Sequence, residues 1–432
     1  MAAIDGVESA CTPPHPLFTY NTTLRPVVHF TAYEEFHRVS RTCRNNFTKG
    51  VRVSPDGLCL LTNSDDHVLR LFELDGDNTQ SRTSLLQAND GGTVYDYAWY
   101  PFMSSADPSS CLFVSSSQDH PVHLWDAYTG GLRATYRAFD HLDELTSAHS
   151  VAFNATGTKL FAGFDRMIRF FDLSQPGRDF CARPLSRTRR SRQGQRGLIS
   201  TLHFNPDHSK IYAAGSYGGM TCVYTEDEGE ELLALCDHDG RGIAQVRFSP
   251  CGRFLYTSAR CDARIHCWDI RATNEILHTF NRVADTNQRL EFDLHCGGRY
   301  LAAGSRTGRM MLYDVVTGEL LDETIRLPDC VNGVSFFPDA SRAIVAVCSG
   351  QRHFDLPDDT DNDDNDDNDG SVSQADVATE AAASSNVRNL LQVYDFQPLP
   401  CNSQHDGASS DVPESTLPSA SKHPNSHNTS NR

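Results

Sequence analysis

Residues 242–274, GIAQVRFSPCGRFLYTSARCDARIHCWDIRATN, constrain the fold more than any other stretch of the chain. Ile243 to Phe248 alternates apolar and polar side chains, the period of a half-buried strand. Ser249-Pro250-Cys251-Gly252 turns the chain into a second run, Phe254 to Ser258. Ala259-Arg260-Cys261-Asp262 turns it again into Ile265 to Asp269, which ends in Trp268-Asp269. Past Arg271-Ala272-Thr273-Asn274, Glu275 to Phe280 supplies a fourth run. Short strands joined by tight turns form one antiparallel unit. Such a unit has two apolar faces and cannot bury both by itself, so the number of copies decides the fold.

The pattern recurs at Phe47–Leu74, Val94–Gly130, Ala148–Leu173, Gly197–Tyr224, Asn287–Glu319, and Cys330–Arg352 resumed at Leu390–Phe396. Its third runs end at Glu73, Asp126, Asp172, Thr225, Asp269, Asp314 and Asp395, spaced 53, 46, 53, 44, 45 and 81 residues apart. The terminal Trp-Asp, with Asp237-His238 upstream in the place of Gly-His, fits the WD40 blade of about 40–45 residues. The excess lies in loops: FMSSADPSS in the second copy, an arginine-rich loop after the third, and an acidic insertion in the last. Seven copies make a closed ring, so the expected fold is an all-β, seven-bladed WD40 β-propeller. The propeller is expected over 17–397, with a disordered N-terminus at 1–16, a disordered acidic insertion at 353–386 within blade seven, and a disordered tail at 398–432. Val27–Tyr33 is the expected closing strand, because free ends leave unpaired edges. Pro26 suits an edge strand.

Net charge is −18, but residues 355–380 hold eleven Asp or Glu and no Lys or Arg; without them the chain stands at −7. A local acidic tract does not exclude a basic patch elsewhere. The tract partly imitates a calcium loop, without the closing glutamate or flanking helices, and no metal is expected. The 14 cysteines are scattered, with no CxxC, and read as reduced thiols of the cytosol or nucleus. The glycosylation-like triplets at Asn21, Asn46 and Asn154 are then chance matches. No run of about 18 apolar residues occurs, and the first residues lack the pattern of a secretory signal. No membrane partner is expected.

No catalytic motif stands out, no cofactor site is indicated, and the chain is not expected to be an enzyme. His238, Ser258, Asp262 and Trp268 imitate a Ser-His-Asp set. Their more economical reading is a buried hydrogen-bond chain within the blade, because each buried polar atom needs a partner. Function belongs on loops at one rim. The starts of the first strands offer Phe47, Lys49, Tyr95, His149, Gly197, Asn287, Arg289 and Asn332. The turns after the second strands offer Asn63, Ser117, Phe164, Tyr217, Arg260, Arg306, Gln351 and Arg352. Arginines and aromatics recur here, and carboxylates are expected mostly elsewhere. Such a rim can stack on unpaired RNA bases or bind a protein. The loop RPLSRTRRSRQGQRG, with Arg183, Arg187, Arg189, Arg190, Arg192 and Arg196, reads equally as a phosphate strap, part of a nuclear localisation signal, or a solvated loop.

Several stretches are more specific than any WD40 signal. They are NFTKG (46–50), SPDG..LLTNSDD (54–66), YDYAWYPFMSSADP (95–108), HLWDAYTGGLRATYRAFDHLDELTSAHS (123–150), GQRGLIS (194–200), TNQRLEFDL (286–294), and CVNGVSFFP with SGQR (330–352). Together they resemble the telomerase Cajal body protein family over roughly 46–352 and the last strand. The resemblance implies recognition of the CAB-box loop of small Cajal body H/ACA-type RNAs and telomerase RNA. It also implies delivery of the particle to Cajal bodies in the nucleus, with some cytoplasmic protein. Implied partners are H/ACA proteins such as dyskerin, the telomerase catalytic subunit, coilin, the survival of motor neuron protein, and a chaperonin for folding. RNA contacts would fall on Phe47, Lys49, Tyr95, Arg260, Arg289 and Arg352; Tyr217 and Arg306 join them from the rim. The short N-terminal extension weakens the implied contacts with other Cajal body proteins. The alternative is a protein-only WD40 adaptor in a nuclear or ubiquitin-ligase complex.

Overall fold

The structure is a computed structural model that describes residues 25–36, 46–74, 82–186, 194–236, 238–353 and 388–396. The expected disordered segments 1–16 and 398–432 lie outside the described residues, as does the acidic insertion after His353. β1 (Val27–Ala32) precedes blade one, which is β2 (Thr48–Val53), β3 (Cys59–Ser64), β4 (Val68–Glu73) and β5 (Leu86–Asn89). Blade two is β6 (Val94–Trp99), β7 (Leu112–Ser117), β8 (Val122–Asp126) and β9 (Leu132–Tyr136). Blade three is β10 (Ser150–Phe153), β11 (Lys159–Phe164), β12 (Met167–Asp172) and β13 (Cys181–Pro184). Blade four is β14 (Ile199–Phe204), β15 (Ile211–Ser216), β16 (Thr221–Thr225) and β17 (Glu231–Leu235). Blade five is β18 (Ile243–Phe248), β19 (Phe254–Ala259), β20 (Arg264–Asp269) and β21 (His278–Asn281). Blade six is β22 (Phe292–Leu294), β23 (Tyr300–Gly304), β24 (Met310–Asp314) and β25 (Leu320–Asp322). Blade seven is β26 (Val331–Phe336), β27 (Ala343–Ser349) and β28 (Leu390–Phe396), and β1 supplies its fourth strand in the order β1-β28-β27-β26. Seven four-stranded antiparallel sheets result.

The closing strand runs antiparallel to β28, from Val27 opposite Asp395 to Ala32 opposite Leu391. The segment after it is also tied to blade one: Phe30 meets Phe72 edge-on at 5.9 Å, and Glu35 pairs with Arg70 at 3.2 Å. The first and last blades are thereby fastened through one short stretch of chain.

Each blade buries both faces against its neighbours. Leu61, Leu71, Trp99 and Phe113 pack together between blades one and two, and Val114, Leu124, Val151 and Leu160 between two and three. Phe161 and Tyr212 join blades three and four, Ala213 and Trp268 four and five, and Tyr256 and Tyr313 five and six. Ala302 and Val345 join six and seven, and Leu60 and Val393 close seven onto one. The burial of Asn46 and Asn154 excludes glycosylation in the fold as it stands. The 11 cysteines described are free thiols.

The innermost strand of each blade has no further strand on its channel side, so its backbone groups need partners from elsewhere. Neighbouring blades supply them in an unbroken circuit. Trp99 donates from Nε1 to Arg52 O at 3.1 Å, and Val151 N donates to Asp96 Oδ2 at 3.0 Å. Ser150 Oγ donates to Ile199 O at 2.8 Å, and Ser200 Oγ to Ile243 O at 2.5 Å. Gln245 both donates to Phe292 O and accepts from Phe292 N, each at 2.9 Å, imitating a strand. Phe336 N donates to Asp293 Oδ2 at 2.8 Å, and Asn332 Nδ2 to Thr48 O at 2.6 Å.

Blade five contains the expected buried chain with one correction. His238 bonds Asp262 at 2.9 Å, but its other nitrogen meets Thr257 Oγ1 at 3.0 Å, and Trp268 Nε1 donates to the same hydroxyl at 3.2 Å. Ser258 is not the link; its buried hydroxyl has no partner. The strand period explains this. Thr257 lies opposite His266 and Leu255 opposite Trp268, on one face, whereas Ser258 lies opposite Ile265 on the other. Blade two repeats the device: His123 bonds Asp90 at 2.5 Å, and Trp125 donates to Ser115 at 2.7 Å.

Thr257→Val is expected to lower unfolding free energy by about 1–3 kcal/mol, the cost of stranding buried partners. Ser258→Ala, which removes a buried hydroxyl that has no partner, is expected not to lower it. Denaturant unfolding of both variants separates the two, and equal losses would restore Ser258 to the chain. Acid supplies a second check. Burial alone would raise the Asp262 pKa, but hydrogen bonds from Arg264 and His238 overcome this and hold it well below the usual carboxylate range. Its stabilisation is therefore present above about pH 4, the unfolded value, and is lost as pH falls toward the folded value. Melting temperatures from pH 7 to pH 3 should fall less steeply in Asp262→Asn than in wild type.

Candidate functional site

First strands begin, and second strands end, on the same face. Asp65 N donates to Phe47 O at 3.0 Å, Tyr217 N to Leu198 O at 2.9 Å, and Arg260 N to Gly242 O at 2.9 Å. Around the ring, His149 N donates to Gly163 O at 2.8 Å and Gly350 N to Cys330 O at 2.9 Å. We refer to this as the upper face. The β2–β3 pairing skips a register between Thr48 and Gly50, and the β6–β7 pairing between Val94 and Asp96. Lys49 and Tyr95 are the extra residues of these bulges, a geometry that re-aims a side chain out of the strand's alternation.

The proposed cations of the rim differ sharply in their surroundings. Lys49 Nζ is 2.9 Å from Asp65 Oδ1, and Arg352 reaches the same carboxylate at 3.1 Å. Burial opposes ionisation of Asp65, but Lys49 and Arg352 hold its pKa below the ordinary value. Arg289 points toward the channel, 3.6 Å from Asp96 and 3.8 Å from Glu291. Burial raises the Glu291 pKa against the pull of Arg289 and Arg52. Arg306 is ion-paired with Asp285. The expectation that carboxylates lie elsewhere is therefore overturned: Asp65, Asp96, Asp285 and Glu291 neutralise the cations in place. Asp65 follows the second strand of blade one directly, but Asp285 and its partner Arg306 stand 21 residues apart, so the pairings are not a local sequence signal.

Among the described residues Arg260 is the one of these five cations without an ion pair. Its guanidinium lies 4.2 Å above the Tyr217 ring, which is 37% exposed. Cys261 holds the turn in the left-handed region at φ 51°, with its N–H on Thr286 O at 3.1 Å and its Sγ 3.3 Å from Asn287 Oδ1. A side chain on Gly242 would bring a Cβ to 3.1 Å from the Tyr217 Cα and ring, so the glycine leaves room for this tyrosine. Tyr95 packs against His149 with centroids 4.8 Å apart and planes at 35°. Burial lowers the His149 pKa, and Asp165 only opposes that shift, so its imidazole is neutral at pH 7. Phe47, proposed as a rim aromatic, is 6% exposed and lies 5.6 Å below Lys49 Nζ, supporting that side chain instead of offering an open ring.

The arginine-rich loop is divided. Arg183 lies in β13, donates to Thr225 O at 3.3 Å and Asp227 O at 2.8 Å, and stacks 4.7 Å from Phe170, so it is part of the scaffold. Arg196 is exposed, and Arg187, Arg189, Arg190 and Arg192 lie outside the described residues. No group of His, Cys, Asp and Glu suited to a metal occurs among the described residues. His238, Thr257 and Asp262 have the connectivity of a catalytic set, but all three are buried and the threonine also accepts from Trp268, which leaves no approach for a substrate.

The WD domain, G-beta repeat family matches residues 229–269, the heart of blade five. A telomerase Cajal body protein 1 from Mesocricetus auratus is 38% identical over 379 residues, covering 83% of this chain and 68% of that protein. The Bos taurus protein of that name is 40% identical over 373 residues, covering 82% and 67%. The Mus musculus protein is 40% identical over 356 residues, covering 79% of this chain and 65% of the relative. The chain spans about two thirds of the length of these relatives. It belongs to the telomerase Cajal body protein family of WD40 propellers.

Proposed function

We propose that this chain is a non-enzymatic, RNA-binding subunit. It recognises the CAB-box loop of small Cajal body H/ACA-type RNAs and telomerase RNA and directs the particle to Cajal bodies. The observation that carries the RNA reading is the exposed Arg260–Tyr217 stack, a planar cation on an aromatic face with no carboxylate attached. Such a pair can stack on an unpaired base and contact a phosphate. The relatives' shared name supports the telomerase and Cajal body setting.

The single-stranded loop suits the geometry. A propeller rim has no element shaped to enter a duplex groove, whereas splayed bases offer π-faces and polar edges to flat side chains. Lys49, Arg289, Arg306 and Arg352 are then phosphate contacts that exchange a protein carboxylate for RNA. Dyskerin, the telomerase catalytic subunit, coilin and the survival of motor neuron protein are the partners this role implies, within the nucleus and its Cajal bodies. A protein-only adaptor is the competing reading, and the carboxylates that neutralise four of the five rim cations favour it.

Crosslinking in cells, followed by sequencing of the bound RNA, should recover H/ACA-type small RNAs; their absence would favour the protein-only adaptor. Arg260→Ala should weaken binding of such an RNA about tenfold, the value of one stacked contact, while leaving the melting temperature near that of wild type. His238→Ala should lower the melting temperature through lost buried hydrogen bonds. If the two variants are equally destabilised, Arg260 is a scaffold residue.

A further inference from the structure

Beside the ion pairs of the upper face stand four side chains with open faces or free polar tips and no carboxylate partner. They occupy consecutive blades: Tyr95 on two, His149 before the first strand of three, Tyr217 on four and Arg260 on five. Among the described residues, neither phenol nor either ring nitrogen of His149 has a hydrogen-bond partner. Burial raises the Tyr95 pKa, and the charges of Asp119 and of the Tyr217 phenol add to that rise. The remaining blades contrast with this arc. There Lys49 and Arg352 share Asp65, Arg289 faces Asp96 and Glu291, and Arg306 holds Asp285.

We propose that blades two to five carry a two-leaved base-binding cleft, one leaf Tyr95–His149 and the other Tyr217–Arg260, and that His149 contacts a base directly. The proposal rests on the reading of the ligand as single-stranded RNA and adds where its bases go. A stacked pair of rings presents a broad π-face, and every nucleobase has a matching one. A neutral imidazole offers one donor and one acceptor, which suits a base edge better than a phosphate. Burial keeps His149 in that neutral form. Arg260 joins stacking to charge. The other arc takes backbone phosphates only after displacing its carboxylates, so it contributes salt dependence and little base preference.

The test uses the full chain and an H/ACA-type small RNA transcript, with affinity measured over a salt series. His149→Ala and Tyr95→Ala are expected to weaken binding about tenfold without changing the salt slope. His149→Phe, which keeps a ring against Tyr95, is expected to recover part of the loss and also guards against a folding defect. Arg306→Ala is expected to reduce the salt slope by about one phosphate contact. Wild-type affinity in His149→Ala and Tyr95→Ala, beside lost binding in Arg306→Ala or Arg352→Ala, would overturn the cleft and leave RNA binding standing. Failure of the wild-type chain to bind the RNA would instead overturn the RNA reading and the cleft with it.

Discussion

The free inner edge of each blade is the constraint on which the rest of this molecule depends. A β-strand at the end of a sheet carries backbone donors and acceptors that burial would strand. Here each inner strand borrows partners from the next blade. Asp96 and Asp293 accept backbone N–H groups, Ser150 and Ser200 donate to carbonyls, and Gln245 does both. Asn332 carries the circuit from blade seven back to blade one. A gap anywhere would expose two edges and two apolar faces, so closure is cooperative. β1 completes blade seven from the opposite end of the chain, which makes that closure a property of the whole chain.

The same circuit positions the candidate site. Asp96 takes Val151 N on one oxygen and faces Arg52 and Arg289 with the other, so a scaffold residue also sets the charge at the channel mouth. The bulges that project Lys49 and Tyr95 sit at the starts of inner strands, where the neighbouring blade makes its contact. Changes to the circuit would therefore disturb the upper face even when they touch no proposed RNA-binding residue. Arg260 is held differently, by a turn braced through Cys261 and the glycine that makes room for Tyr217.

Much of this was legible in the amino-acid sequence because strand periodicity and repeat spacing are local signals. Trp268-Asp269, its counterparts and the alternation before them locate the blades, and Val27 to Tyr33 reads as a closing strand. What escaped depends on three-dimensional neighbours. Choosing between Thr257 and Ser258 requires knowing which face of β19 looks toward Trp268, a one-residue question with the opposite answer on each side. That Asp65 would neutralise both Lys49 and Arg352 was hidden because Arg352 comes from blade seven. Phe47 reads as an exposed aromatic in sequence because nothing local reports the backbone that covers it; Gly350 of blade seven approaches closely enough to forbid even a Cβ.

In the proposed function this closed ring reads single-stranded RNA on its upper face, with the bases over blades two to five. Photocrosslinking of 4-thiouridine-substituted H/ACA-type RNA to the full chain, with mass-spectrometric mapping of the linked residues, tests it most directly. Links are expected at Tyr95, His149, Tyr217 or their immediate neighbours. Links confined to the opposite face or to the outermost strands of the blades would contradict it.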